Sequence, residues 1–185
     1  MCEIRPINIA AEKHLAKESV QAVAKFLKKL DSVTNVSIEQ AENLHIRFCY
    51  GNTGKEKSVF VVADDGKREG MFVETYKTLR PLQSYDLQAQ PGYLYSTEAD
   101  YVFYLSGNTL FTLPTKRFRC WADKSTDAFR KDCLFETSNG IEIRHHGFFI
   151  PKQRLRQDFA KGDVRVSVFR LQNIHEENID FVQEL

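Results

Sequence analysis

Lys and Arg number 26 against 25 Asp and Glu in this chain of 185 residues, for a formal net charge of +1. The length suits one domain with a sizeable core. The near-neutral charge excludes a polyanion-binding surface over the whole molecule, so any nucleic-acid contact must be a local patch. Hydrophobic residues at 42% and charged residues at 28% exclude a disordered chain.

The sequence carries no signal for a membrane or an oxidising compartment. No apolar run approaches the roughly 18 residues that span a bilayer, and the amino terminus lacks the apolar core of a signal peptide. Cys2, Cys49, Cys120 and Cys133 include no C-x-x-C pair, which argues against a zinc site or a disulfide framework. We therefore expect a cytoplasmic protein with no membrane partner.

The first predicted element is a helix over residues 8–31. Its apolar side chains recur at the spacing of one helical face, and Lys28 and Lys29 lie at its carboxyl end, where the helix dipole favours cations. Turn-bounded runs then predict strands at 35–40, 44–50, 58–63, 70–77, 99–105 and 109–113. This order predicts an α/β or α+β fold, in which the helix packs on one central mixed sheet that includes the last five of these strands.

Two later segments share one pattern: a glycine, an apolar strand, a proline and a basic-aliphatic run. They are GNTLFTLPTKRFRCW at 107–121 and HGFFIPKQRLRQDF at 146–159. Proline pre-sets the backbone for a first helical turn, so each segment is predicted to be a strand that leads into a short helix. Cations at a helix start oppose the helix dipole, which suggests either a phosphate ligand or solvated surface charge. The predicted nucleic-acid-binding edge consists of Lys116, Arg117, Arg119, Lys152, Arg154 and Arg156.

The segment PGYLYSTEADYVFYL at 91–105, followed by LFTLPTKRFR at 110–119, resembles one branch of the PD-(D/E)XK nuclease superfamily. In that branch a Pro-Gly-aromatic turn leads to a Ser/Thr-x-Ala-Asp-Tyr strand, and a second strand ends in proline and a basic helix. The resemblance implies a restriction-endonuclease-like core at about 8–119 within a single domain of 1–185. Residues from about 120 to 185 would be a strand–helix extension. DNA is the partner that it implies.

The superfamily places its chemistry upstream of this segment, where two carboxylates hold a divalent metal and a Glu-x-Lys strand supplies a lysine that acts on water. Glu74 in VETYK takes the Glu position, but Tyr76 stands where the lysine is expected. Lys77 follows, and on a regular strand it would point to the opposite face from Glu74. In QAENLHIRF, Asn43 and His45 occupy positions where carboxylates are expected. The candidate catalytic residues are Glu74, Tyr76, Lys77 and His45.

The remaining ligands of a metal site would come from outside that strand. Asp64 and Asp65 lie in a predicted turn, and Glu12 or Glu18 could contribute from the first helix. The predicted metal set is Glu74, Asp64, Asp65 and Glu18, with Mg²⁺ or Mn²⁺ as the cofactor if the protein is active. Asp100 in the family strand is expected to support architecture.

Two functional classes stay open. One is a nucleic-acid-processing protein, a metal-dependent DNA endonuclease with a rearranged site. The other is a catalytically inactive descendant that binds DNA or a protein partner, and the altered motif favours it. Residues 173–185 are predicted to form a short helix that docks on a partner, and His145 and His146 should point apart because they are neighbours on a strand.

Overall fold

The computed structural model describes residues 4–6, 9–39, 45–51, 54–125, 129–176 and 179–184, and places four helices and twelve strands within them. The helices are α1 (Ile9–Lys28), α2 (Tyr93–Ser96), α3 (Thr115–Ser125) and α4 (Lys152–Ala160). The strands are β1 (Ile4–Pro6), β2 (Val33–Glu39), β3 (His45–Tyr50), β4 (Lys55–Asp64), β5 (Gly70–Pro81), β6 (Gln88–Pro91), β7 (Tyr101–Ser106), β8 (Thr109–Pro114), β9 (Arg130–Ser138), β10 (Ile141–Pro151), β11 (Ser167–Gln172) and β12 (Asp180–Gln183). Within these ranges, every helix is too short or too polar to cross a membrane.

The larger sheet has seven strands in the order β12-β11-β8-β7-β4-β3-β2. All neighbours are antiparallel except β4 and β7, which run parallel. Helix α1 packs against β2, β3 and β4 because its apolar stripe buries Val20, Val23, Phe26 and Leu27 on one side.

The smaller sheet has five strands in the order β1-β9-β10-β5-β6. Strands β1 and β9 run parallel, and the other neighbours are antiparallel. β10 pairs with β5 along its whole length, from Ile141 opposite Pro81 to Pro151 opposite Gly70. β6 pairs with only four residues of β5, from Tyr76 to Leu79.

Two hydrophobic cores lie on the two faces of the seven-stranded sheet. Strand β7 divides them, since alternate side chains of a strand point to opposite faces. Phe103 and Leu105 face the core under α1. Val102 and Tyr104 face a second core, which contains residues of α2, α3, α4 and the five-stranded sheet. The molecule is therefore layered, with α1 on one side of the larger sheet and the remaining helices with the smaller sheet on the other.

The structure confirms the α+β class with mixed sheets flanked by helices. The predicted helix at 8–31 corresponds to α1, and each predicted strand corresponds to an observed one. Positions 8, 40 and 44 of these predicted ranges lie outside the described residues. Both strand–Pro–helix segments are confirmed, because β8 leads through Pro114 into α3 and β10 leads through Pro151 into α4.

Two predictions are wrong. The strand predicted at 70–77 does not join the sheet of its neighbours in sequence, because β4 pairs with β7 and β5 pairs with β10. The predicted carboxyl-terminal helix is instead strand β12, paired with β11. Ile179 and Phe181 explain this difference, since they lie two residues apart and both pack into the core beneath α1.

A β-bulge interrupts the pairing of β5 and β10. His146 pairs with Tyr76 and Gly147 pairs with Glu74, so Thr75 has no residue opposite it. The extra residue shifts the alternation of the β5 side chains by one position. This shift decides which side chains share a face with Glu74.

We predict that Gly147→Ala lowers the free energy of unfolding by about 3 kcal/mol, the upper range for an overpacked site. A Cβ there would lie 2.1 Å from the Val73 carbonyl oxygen of the paired strand. Gly140→Ala is the control, because nothing lies within 4 Å of its Cβ and only its φ of +74° is unfavourable, at about 1 kcal/mol. Urea denaturation measures both, and equal losses would contradict the tight approach at the bulge.

Candidate functional site

Glu74, the residue matched to the Glu-x-Lys position, is largely buried beside the bulge, with 14% of its side chain exposed. One carboxylate oxygen accepts a hydrogen bond from the Tyr93 backbone N–H at 3.2 Å, and the other contacts Nδ1 of His145. Gly92 permits this approach, since a Cβ there would lie 2.6 Å from Cγ of Glu74. The Pro-Gly-aromatic turn of the sequence thus brings a backbone donor to Glu74.

His145 lies between two carboxylates. Its Nδ1 contacts Glu74 on β5, and its Nε2 lies 3.2 Å from Oε1 of Glu136 on β9. Burial lowers the pKa of His145, but the hydrogen bonds and charges of Glu74 and Glu136 together outweigh burial and raise that pKa above its ordinary value. Both ring nitrogens are engaged, so His145 ties three strands together and has no nitrogen left to act as a general base.

The bulge places Lys77 on the same face as Glu74. Lys77 lies directly opposite His145 in the ladder, and directly opposed residues share a face of the sheet. His145 in turn contacts Glu74. A regular strand would place Glu74 and Lys77 on opposite faces, as expected from the sequence, but the unpaired Thr75 brings them to the same face.

Tyr76 and His146 lie on the other face. Their rings are stacked, with centroids 4.3 Å apart and planes 6° apart. Nε2 of His146 is 3.3 Å from the Thr78 hydroxyl. Burial, followed by the charges of Arg144 and His145, lowers the pKa of His146. The two adjacent histidines therefore point apart, as expected, and have opposite electrostatic surroundings.

Asp64, at the end of β4, has its own set of partners. Oδ2 accepts a hydrogen bond from the Tyr104 hydroxyl at 2.8 Å, and Oδ1 accepts one from the Gly66 N–H at 2.8 Å and another from the Ser106 hydroxyl. Asp65 lies in the predicted turn, where it accepts from the Lys67 N–H and pairs with the Lys67 ammonium at 3.1 Å. These contacts close the turn after β4.

The predicted metal ligands are not assembled into one site. Glu18 lies on α1, which packs on the opposite face of the seven-stranded sheet from the core that contains β5. Within the described ranges, no three His, Cys, Asp or Glu side chains are grouped so that they could hold a metal ion. Asn43 and the side chain of Glu12 lie outside the described residues.

His45 lies on β3, with its ring packed edge-on against Phe60 at 5.4 Å. It lines a cleft of about 330 Å³ that also contains Lys57 and Asp100. Lys57 donates to Asp100 at 2.7 Å, and the Ser58 N–H donates to the same carboxylate at 3.0 Å. Although burial opposes it, these bonds lower the pKa of Asp100. Asp100 therefore joins β4 to the start of β7, which agrees with its expected architectural role.

Four of the six cations predicted to form one edge are engaged within the protein. The Arg119 guanidinium donates to the carbonyls of Leu94 and Thr97, which fastens α2 to α3. The Lys152 ammonium donates to the Arg68 carbonyl at 2.9 Å.

The other two engaged cations lie on α4. Arg154 donates to Asp158 at 2.9 Å, and Arg156 donates to Glu184 at 2.8 Å. Asp158 is buried and also accepts from the Trp121 indole at 3.1 Å, which joins α4 to α3.

Lys116 and Arg117 are both exposed and line a groove of about 460 Å³ between α3 and the segment that follows α4. Lys124 and Arg165 add two more exposed cations, against the single carboxylate of Asp163. Among the described residues, none of these four cations forms an ion pair. Trp121 and Phe159 provide apolar surface in the same groove.

The sequence held a partial signal for this groove. Lys124 follows Arg117 by seven residues, which is about two helical turns, so both lie on one face of α3. Arg165 carries no such signal, because only the fold brings the segment after α4 against α3.

Comparison of the chain with protein-family models, with curated proteins and with solved structures found no match. The nuclease resemblance stays a prediction from the sequence.

We predict that His145 stabilises the fold at low pH and loses this effect as pH rises. Its folded pKa lies above the ordinary 6.5, so its contribution is complete below the unfolded pKa and disappears as pH rises through the folded pKa. The stability difference between wild type and His145→Gln should therefore shrink as pH rises from about 6 to about 8. Urea denaturation across that range measures it.

His146→Gln is the control with the opposite sign. The folded pKa of His146 lies below its ordinary value, so its contribution is present above the unfolded pKa and falls as pH drops. Parallel pH profiles for the two variants would contradict the assignment of His145 to the two carboxylates.

Proposed function

We propose that this protein binds nucleic acid, and that the groove between α3 and the segment after α4 is its phosphate-binding surface. The observation that carries the proposal is the local charge of the groove. Four exposed cations, Lys116, Arg117, Lys124 and Arg165, line it together with one carboxylate. In a chain of net charge +1, such a local excess is the pattern expected of a patch that contacts a polyanion.

Cations at the start of α3 support the same proposal. Lys116 and Arg117 occupy the first turn of a helix whose first turn contains no acidic residue. There the helix dipole disfavours cations but favours a bound anion. A phosphate in the groove would be attracted by the side chains and by the helix start alike.

Binding, not cleavage, is the function that we propose. The carboxylate that the nuclease resemblance assigns to a metal, Glu74, accepts from the Tyr93 amide and contacts His145. Asp64 likewise accepts from Tyr104 and Gly66. Both carboxylates have structural partners within the fold. The protein is then the inactive descendant of a PD-(D/E)XK-like nuclease, with a restriction-endonuclease-like core.

The salt dependence of DNA affinity tests the groove. Each phosphate contact contributes about −0.9 to the slope of log K against log salt, so Lys116→Gln with Arg117→Gln should flatten the slope by about two. Affinity should fall alike for all sequences, since phosphate contacts carry no base information. Fluorescence anisotropy with labelled DNA at several salt concentrations measures both.

The matched control is Arg156→Gln with Arg170→Gln. It makes the same change in net charge, but both arginines pair with Glu184 at 2.8 Å, so we expect the slope to stay as in wild type. If the slope changes equally in both double variants, the effect is one of general charge, and the groove is not the phosphate-binding surface.

A cleavage assay separates the two functional classes. We expect labelled DNA to stay intact when incubated with the protein and Mg²⁺ or Mn²⁺, because Glu74 is engaged by His145 and the Tyr93 amide. If the protein cuts DNA in a metal-dependent way and Glu74→Ala abolishes the cutting, the proposal of binding without cleavage is wrong and the protein is a nuclease.

A further inference from the structure

The core-facing side of β10 continues beyond the core as a polar and aromatic surface. Phe148 and Ile150 are buried in the core that contains α3 and α4. Alternation along the strand puts His146, Arg144 and Glu142 on the same face. These three residues are only partly buried.

Strand β5 completes this surface. Tyr76 pairs with His146, Thr78 with Arg144, and Arg80 with Glu142, and directly opposed residues share a face. We call this surface the β5–β10 platform; it consists of Tyr76, Thr78, Arg80, Glu142, Arg144 and His146.

An aromatic stack lies at the inner end of the platform. The rings of Tyr76 and His146 are 4.3 Å apart and parallel to within 6°, and Tyr76 is 46% exposed. The Thr78 hydroxyl fixes the imidazole at 3.3 Å. The lowered pKa of His146 keeps the ring neutral near pH 7, which suits stacking.

Two arginines lie beside the stack in fixed positions. Arg80 and Arg144 each donate to Glu142 at 2.8 Å, and their side chains are 42% and 40% exposed. Each of these contacts uses one guanidinium nitrogen, and a guanidinium carries five N–H donors. Glu142 therefore holds both cations at the surface, and further N–H groups of each guanidinium can donate to a ligand.

We propose that the β5–β10 platform binds an unpaired base and its flanking phosphate, which makes single-stranded nucleic acid the ligand class of this protein. Aromatic rings that stack on bases, beside cations that follow the backbone, are the features by which proteins hold single strands. In a duplex the bases are stacked on each other and their faces are not available. This inference rests on the proposed nucleic-acid function, but its residues are separate from the cations of the groove.

Anisotropy measurements with two single-stranded oligonucleotides of equal length test the platform. One carries thymine bases and the other is abasic, so only the first can stack. Base stacking contributes about 1–3 kcal/mol per base, so wild type should bind the thymine strand about tenfold more tightly than the abasic one. Tyr76→Phe should keep this ratio and Tyr76→Leu should abolish it. If wild type binds the two strands with equal affinity, or if Tyr76→Leu keeps the wild-type ratio of affinities, the platform does not bind a base.

Tyr76→Trp gives a direct signal. The chain has one Trp, Trp121, which lines the groove and is 4% exposed, so the response of wild type is subtracted to leave the response of the new indole. Its fluorescence should be quenched by the thymine strand and unchanged by the abasic one. Equal quenching by both strands would contradict stacking.

The groove variant separates this inference from the proposed function. Lys116→Gln with Arg117→Gln should weaken both strands by the same factor and leave their ratio unchanged. Suppose that Tyr76→Leu brings the two affinities to the same value and the groove variant changes neither affinity. That result would contradict phosphate binding by the groove and support base stacking on the platform. Binding of neither strand by wild type at low salt would overturn both.

Discussion

The free edge of β5 is the constraint on which the arrangement of the two sheets depends. On one side β5 is fully paired with β10, but on the other side β6 covers only residues 76–79. The Phe72 N–H instead donates to the Tyr104 hydroxyl at 3.2 Å, and the Phe72 carbonyl accepts from the Tyr93 hydroxyl at 2.9 Å. The Gly92 N–H donates to the Thr75 carbonyl at 2.8 Å. Since buried backbone groups need partners, the Tyr104 bond fixes where the smaller sheet meets the larger one, and the Tyr93 and Gly92 bonds fix the start of α2 against β5.

Two carboxylates support that contact. Asp64 accepts a hydrogen bond from the Tyr104 hydroxyl, which orients the hydroxyl oxygen to accept from the Phe72 N–H of β5. Glu74 accepts from the Tyr93 amide and contacts His145, so it contacts the start of α2 and strand β10 at once. Such charged acceptors form stronger hydrogen bonds than neutral ones. The carboxylates that the nuclease resemblance assigns to a metal thus support the contacts of β5 with β7, β10 and α2. The side chains that we propose for ligand contact are other ones, the exposed cations of the groove and the aromatic and arginine side chains of the platform.

The sequence predicted what local spacing determines. The apolar stripe of α1 and the prolines before α3 and α4 each define an element from adjacent residues. By contrast, β5 belongs to the smaller sheet because it pairs with β10, which lies about 70 residues later in the chain. A run of strand-forming residues does not indicate which other strand it pairs with. The bulge is equally hidden, because it requires Gly147 to face Glu74. His145 was visible as a histidine, but its carboxylate partners come from two other strands.

The candidate site divides in the same way. Lys116 and Arg117 could be identified from the sequence because they follow a proline at a helix start. The internal partners of Arg119 could not, since Leu94 and Thr97 are far from it in sequence. Asp158 is four residues from Arg154, but its hydrogen bond from Trp121 also comes from a distant part of the sequence. Basic residues with the same local pattern therefore have different roles, and only the fold separates a structural arginine from an exposed one.

An NMR titration of the labelled protein with a single-stranded oligonucleotide tests the central claim most directly. If the cations bind the ligand and the carboxylates hold the fold, amide shifts should concentrate at 116–124 and 162–165 in the groove and around Tyr76 and His146 on the platform. The chemical shifts of the amides near Asp64 should not change. Shifts confined to the cleft of His45, Lys57 and Asp100, with none in the groove, would contradict the account.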